Sequence, residues 1–195
     1  MSELSSQSIA SSEKEDVLII GKASAPVTII EFADYKCPTC NTFFKQIEPE
    51  IRETSVDKGL AKIELRMCPH IGLDARPAAL GAYCANNQGM FQSYHDNAMN
   101  YIYENLFSEN KGLSDDVYTS ENLREIAKSS GLNTAKFEEC VSKEKTADLV
   151  SRDLKLTEEL QITGTPTFII GDQRIIGAQP FEVFRVLIEQ QLGRN

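Results

Sequence analysis

The chain of 195 residues has no tryptophan, two histidines, five cysteines and no long apolar run. Its longest such run, Ala78 to Ala85, falls far short of the ~20 residues a membrane-spanning helix needs, and it contains Gly81. Basic residues are in the minority. Twenty Lys and Arg stand against 29 Asp and Glu, giving a net charge of −9 and a sequence pI near 4.8. A surface that grips phosphate backbones wants the opposite sign, so no nucleic-acid partner is expected. Five cysteines are too few for a disulfide scaffold, and their odd number leaves at least one thiol without an intramolecular partner. The missing tryptophan excludes nothing. What remains is ordinary globular usage, 41% hydrophobic and 25% charged, enough for one domain or for a core that carries a large insertion.

Residues 1–16 stand apart. Six are Ser, four are acidic and few are apolar, so the segment cannot bury enough surface to offset its ordering entropy. It reads as a disordered lead. It also lacks the basic start and the apolar stretch of ~7–15 residues of a signal peptide. The chain is then either cytoplasmic or without a signal or anchor it once had, and composition does not separate the two.

From Val17 the pattern becomes ordered. Val17–Ile20 and Val27–Phe32 are β-branched runs separated by Gly21 and Pro26, hence two strands. A helix begins near Pro38 with Phe43, Ile47 and Ile51 on one stripe, and Pro49 should kink it or end it early. Ala61 to Met67 alternates as a strand does. Residues 74–161 read as mostly helical, with Gly131 as a helix stop and Asn133 as an N-cap. Strands return at Thr167–Ile170 and Arg174–Ile176, and a last helix spans roughly 180–192. The order predicts an α/β core over 17–72 and 162–195, with a helical insertion over 73–161.

Two stretches carry chemistry. Cys37-Pro38-Thr39-Cys40 follows a strand and opens a helix, with Cys37 at the N-cap and Pro38 at the first helical position. The N–H groups of Thr39 and Cys40 then point at the Cys37 sulfur, and the helix dipole joins them in favouring thiolate over thiol. Cys37 becomes the exposed nucleophile. Cys40, one turn inside on the same face, is placed to close a disulfide with it. The second stretch is Gly164-Thr165-Pro166-Thr167, where Pro166 belongs at the start of a strand because it cannot donate to a ladder.

The run from Ala25 through Cys40 resembles the DsbA-like branch of thioredoxin-fold disulfide oxidoreductases. So do Gln88-Gly89-Met90-Phe91 with Tyr94-His95, and Gly164 through Gly171. The resemblance covers nearly all of Val17 to Leu192. It implies a thioredoxin fold with a helical domain inserted in it, and catalytic Cys37 and Cys40. It implies a cis Pro166 beside them, with Pro38, Thr39 and Thr165 also facing substrate. Glu31, six residues before Cys37, matches the place where such proteins keep a buried acid, a possible proton relay. The activity implied is oxidation of cysteines in folding, extracytoplasmic (for instance periplasmic) proteins, with a membrane-bound partner restoring the disulfide. No cofactor is implied. An isomerase or reductant of the same fold remains open, because Thr165 and the Pro38-Thr39 dipeptide tune the potential. A chaperone or metal-binding module is the remaining alternative.

The residues themselves leave other readings beside these. Cys37, Cys40, Cys68 and His70 make a conceivable zinc set, but a single Cys-x-x-Cys at a helix start argues against metal. Glu31 is as well explained as a strand-end acid facing solvent, with Asp34 as a rival relay. His70 and His95 read as structural or surface residues. Cys84 and Cys140 follow Leu80 and Phe137 by one turn. They are either buried free thiols or a structural disulfide, a pair that similar proteins of this branch sometimes carry. Cys68 ends a strand as the leftover thiol, without a catalytic role.

Overall fold

The computed structural model describes residues 16–109 and 111–194. All of the lead expected over 1–16 except Asp16 lies outside them. Five strands form one sheet: β1 (Leu18–Ile20), β2 (Val27–Ala33), β3 (Ala61–Met67), β4 (Thr167–Ile170) and β5 (Gln173–Ile176). Their order is β1-β3-β2-β4-β5, with β2 parallel to β3 and every other pair antiparallel. Strand β2 therefore has a partner on each edge, and its two faces are both covered. Val27, Ile29 and Ala33 join the main apolar core, while Ile30 and Phe32 pack with Cys68, Leu160 and Ile169 in a second, smaller one. That is why β2 reads as a continuous apolar run with little polar alternation.

Helix α1 (Pro38–Gln46) leaves the end of β2 and lays Phe43 against Phe168 of β4 and Phe184 of α8 (Phe181–Arg194), with ring centroids 4.5 and 5.4 Å away. Burying each such ring contributes about 1.5–3 kcal/mol. Pro49 acts as expected. The first helix stops at Gln46, Ile47 departs from helical geometry at φ −114°, and α2 (Glu48–Ile51) restarts with Pro49 in its first turn. A π-helical stretch, Arg52–Val56, carries the chain to β3.

Between β3 and β4 the described residues form five α-helices, α3 (Ala75–Asn86), α4 (Phe91–Ile102), α5 (Ser120–Ser129), α6 (Thr134–Val141) and α7 (Glu144–Glu159), with a π-helical stretch, Tyr103–Phe107, continuing α4. Gly131, at φ +81°, follows the end of α5, and the Asn133 side chain caps α6 by accepting from Lys136 N–H. Helix α3 packs closely on its neighbours at Gly81, where a Cβ would run into the Tyr94 hydroxyl and the Phe137 ring. Tyr94 uses that space to donate to the Ala78 carbonyl. The apolar core runs unbroken from the sheet into these helices. Within the described residues, no helix is long and apolar enough to cross a membrane.

Candidate active site

The chain turns from β2 into α1 through Asp34, Tyr35, Lys36 and Cys37, and this turn fixes the site. Asp34 is buried, and its carboxylate accepts N–H bonds from Lys36, His70 and Ile71 at 2.8–2.9 Å. It holds two loops together, so it is not a free relay. Cys37 caps α1: its sulfur accepts from Cys40 N–H at 3.4 Å, and Pro38 takes the first helical position. Helical spacing turns Cys40 back toward it, fully buried. Both are free thiols here.

Tertiary structure supplies the third side. The Thr165–Pro166 bond is cis, and the Cys37 thiol donates to the Thr165 carbonyl at 3.2 Å across 128 residues of sequence. Pro166 is buried at the start of β4, Thr165 is half-buried, and Pro38 and Thr39 are exposed beside the sulfur. Cys37 itself is only 5% exposed, where the sequence suggested an open thiol. The reason is this overlying segment, which no local pattern places.

The two sulfurs differ in acidity. The Cys40 thiol facing it, the Thr165 side chain and the N–H groups of Cys40 and Thr39 together bring Cys37 down to about 6, against the opposing pull of burial. Cys40 is pushed well up by burial, then by the hydrogen bond and charge of Cys37 and by the charge of Glu31.

Glu31 does not face solvent. It is 2% exposed, because β2 is flanked on both edges and its neighbours Ile29 and Ala33 point into the main core. Burial raises its pKa well above the carboxylate range, Glu48 and Cys37 raise it further, and Arg52 opposes them. One of its oxygens, Oε2, has no hydrogen-bond partner.

The remaining candidates separate from the site. Cys68 lies against the Thr157 hydroxyl at 2.9 Å, and burial pushes its thiol up to about 12. The His70 ring is half-exposed and meets the Cys68 carbonyl at 2.8 Å. The zinc set of Cys37, Cys40, Cys68 and His70 does not converge. Among the described residues the group whose ligand atoms do come together is Glu48, His95 and Asp96, and Arg52 already bridges both of its carboxylates. His95 is buried among Tyr35, Phe44 and Phe91. Cys84 and Cys140 form a disulfide joining α3 to α6, with Cα atoms 5.7 Å apart, so they are not free thiols. Sequence reading missed Lys36 and Asp74, a buried ion pair one residue from the nucleophile, and the group around Glu48. Glu48 and Arg52 do carry one signal, an acid and a base four residues apart on a helix.

The family model described as thioredoxin matches residues 13–190. Disulfide bond formation protein D of Bacillus subtilis (strain 168) is 30% identical over 177 residues, spanning 89% of this chain and 76% of that protein. The crystal structure of oxidised BdbD from Bacillus subtilis superposes with a TM-score of 0.79 at 28% identity, covering 93% of this chain and 95% of that one. Wolbachia pipientis α-DsbA1 gives 0.76 at 25% identity, covering 92% of each chain.

Proposed function

This chain belongs to the DsbA-like branch of the thioredoxin-fold oxidoreductases, and on that premise we propose that it introduces disulfides into other proteins through Cys37 and Cys40. It is a thiol–disulfide oxidoreductase. In the proposed cycle a substrate thiolate attacks the Cys37 sulfur of the Cys37–Cys40 disulfide. A mixed disulfide forms with Cys37, and Cys40 leaves as a thiolate that takes up a proton. A second substrate thiolate then attacks the substrate sulfur of that mixed disulfide. The oxidised substrate departs, and the two enzyme thiols are left reduced.

The observation that carries this direction is the unequal pair: Cys37 held as a thiolate at neutral pH, Cys40 buried and held protonated. Stabilising the Cys37 thiolate stabilises the reduced enzyme, which makes its disulfide an oxidant. Thr165, whose carbonyl already contacts Cys37, would offer its backbone to an extended substrate strand, a mode that gives affinity without demanding a sequence. Pro38 and Thr39 would form the opposite lip. Cysteine-containing unfolded proteins are the substrates of this reading, and an oxidising compartment outside the cytoplasm is where such chemistry persists. A membrane-bound protein would return the pair to the disulfide.

The test is the Cys37–Cys40 reduction potential, measured against glutathione. A value above about −200 mV supports an oxidase. One near about −270 mV would make the protein a reductant and overturn the direction proposed.

A further inference from the structure

The cycle above needs a proton at an atom that water does not reach. Cys40 is fully buried, and it must be protonated when it leaves and deprotonated when the disulfide is restored. Glu31 is the adjoining carboxyl, but it too is buried, so its own proton has to come from somewhere.

Behind Glu31 lies a second buried acid. Glu48 is 1% exposed, on α2, near enough for its charge to act on Glu31. Its Oε1 is held by Arg52, whose Nε donates at 2.6 Å. Its Oε2 has no hydrogen-bond partner and points toward His95 Nε2 at 3.7 Å, an atom that is itself buried and unpartnered. Two buried polar atoms left without hydrogen bonds are costly, and a catalytic role is one reason a fold keeps them. Outside them the structure opens: Lys45, Glu48, Arg52, Asp96 and Asn100 line a cleft of about 330 Å³. There the Arg52 guanidinium grips both oxygens of the 36%-exposed Asp96 at 2.7 and 3.1 Å.

We propose that Glu48, together with His95, forms the outer half of a proton path that links Cys40 and Glu31 to solvent at the Arg52–Asp96 cleft. The inference rests on the oxidoreductase reading and assigns a part of the molecule which that reading leaves idle. When substrate thiolate attacks Cys37, the departing Cys40 thiolate takes its proton from the Glu31 carboxyl. Glu31 is refilled from Glu48 Oε2 and Glu48 from His95 Nε2. His95, itself buried, regains its proton at the Asp96 edge of the cleft, where a His95 ring nitrogen and an Asp96 carboxylate oxygen lie within 4.8 Å of one another. In the reverse direction each proton moves outward. Glu48 is a positioning residue, since it acts on Cys40 only through Glu31. The ionisable groups that act on Glu31 and Glu48, besides each other, are Cys37 at the α1 N-cap, Arg52 after α2 and His95 from α4, with Asp96 of α4 beside Glu48 and His95. Glu31 acts in turn on Cys40 of α1 and on Tyr35 in the turn before it. A metal at Glu48, His95 and Asp96 is the less suitable occupant, because Arg52 already supplies the cation there.

The test is Glu48→Gln, which keeps the size of the side chain and an acceptor for Arg52 but cannot carry the proton. Oxidation of a dithiol peptide by the disulfide form would be followed by quenched flow from about pH 5 to about pH 9. We expect the rate at neutral pH to fall by about tenfold or more, less than the ~10²–10⁴-fold of a group that transfers the proton directly, because Glu48 acts through Glu31. The alkaline limb should also begin at lower pH, because Glu31 loses the neighbouring charge that keeps it protonated. The thiolate absorbance of Cys37 should still titrate near 6, which separates this effect from a distorted nucleophile. A variant with the native rate and the native alkaline limb overturns the proposal. If Glu48→Gln does not fold, His95→Gln is read in the same way, and a native profile there is equally fatal. A native protein that oxidises no dithiol would instead defeat the functional reading itself.

Discussion

At Cys37 a single backbone position does most of the chemical work. An N-cap sulfur faces N–H groups that would otherwise point at water, and these, with the Cys40 thiol, bring its acidity to about 6. Cys40 and Cys68 sit in the same protein with the opposite shift, because burial outweighs the hydrogen bonds that favour the thiolate there, from the Asp34 backbone at Cys40 and from Thr157 and the Ala33 backbone at Cys68. Reactivity should follow. In reduced protein at about pH 7, brief alkylation read by peptide mass should label Cys37 while Cys40 and Cys68 stay unmodified until the chain unfolds. Equal labelling of Cys37 and Cys40 would contradict the acidity order. The same residue-by-residue reasoning explains Glu31 and Asp34, two acids three positions apart with different fates. Asp34 has three N–H donors and serves as a clamp, whereas Glu31 has an orphaned oxygen and a raised pKa.

Among the elements, the link from α3 to α6 is the one that covalent chemistry reinforces. The Cys84–Cys140 bridge closes a separation of 56 residues, so it removes considerable freedom from the unfolded chain. Replacing both by Ala should destabilise the protein by about 2–4 kcal/mol in urea unfolding while leaving peptide oxidation essentially unchanged. A loss of activity without loss of stability would show that the bridge takes part in catalysis. The break between α1 and α2 is the other feature at this scale. Because the helix restarts at Glu48, the chain reorients there, and Glu48 and Arg52 come to lie against α4. An uninterrupted helix would have carried them elsewhere.

Across the whole molecule, the sheet side and the helices that follow β3 are joined by a buried ion pair beside the nucleophile. Lys36 is fully buried and donates to Asp74, whose other oxygen accepts from Val117 and Tyr118 N–H at 2.8 and 3.0 Å. Burial alone would raise the Asp74 pKa, but Lys36 and those two N–H groups outweigh it and hold the carboxyl below its ordinary value. A carboxyl whose folded pKa is depressed stabilises the fold above its unfolded pKa, and that contribution is lost as pH falls through the folded value. Asp74→Asn should therefore cost about 3–5 kcal/mol at neutral pH, since it leaves a buried ammonium unpaired. The difference between native and variant should stay level above about pH 5 and shrink below about pH 4. Chemical unfolding of both proteins across that range measures it, and a difference independent of pH would refute the account.

The sequence by itself determined whatever local chemistry dictates. β-branched runs gave the strands, Pro49 broke the first helix, Asn133 capped another, and Cys37-Pro38-Thr39-Cys40 placed an acidified sulfur at a helix start. Those signals act within a few residues, so they survive without knowledge of the rest of the chain. Only the tertiary structure decided what depends on distant partners. It buried Glu31 by placing β3 and β4 on either edge of β2, and it laid Thr165 over Cys37 from 128 residues away. It paired Cys84 with Cys140, where the sequence left two fates open. It also gathered Glu48, Arg52, His95 and Asp96 from two separate helical segments, an arrangement no short motif encodes. Burial and electrostatic coupling are properties of neighbours in space, and the sequence orders neighbours only along the chain.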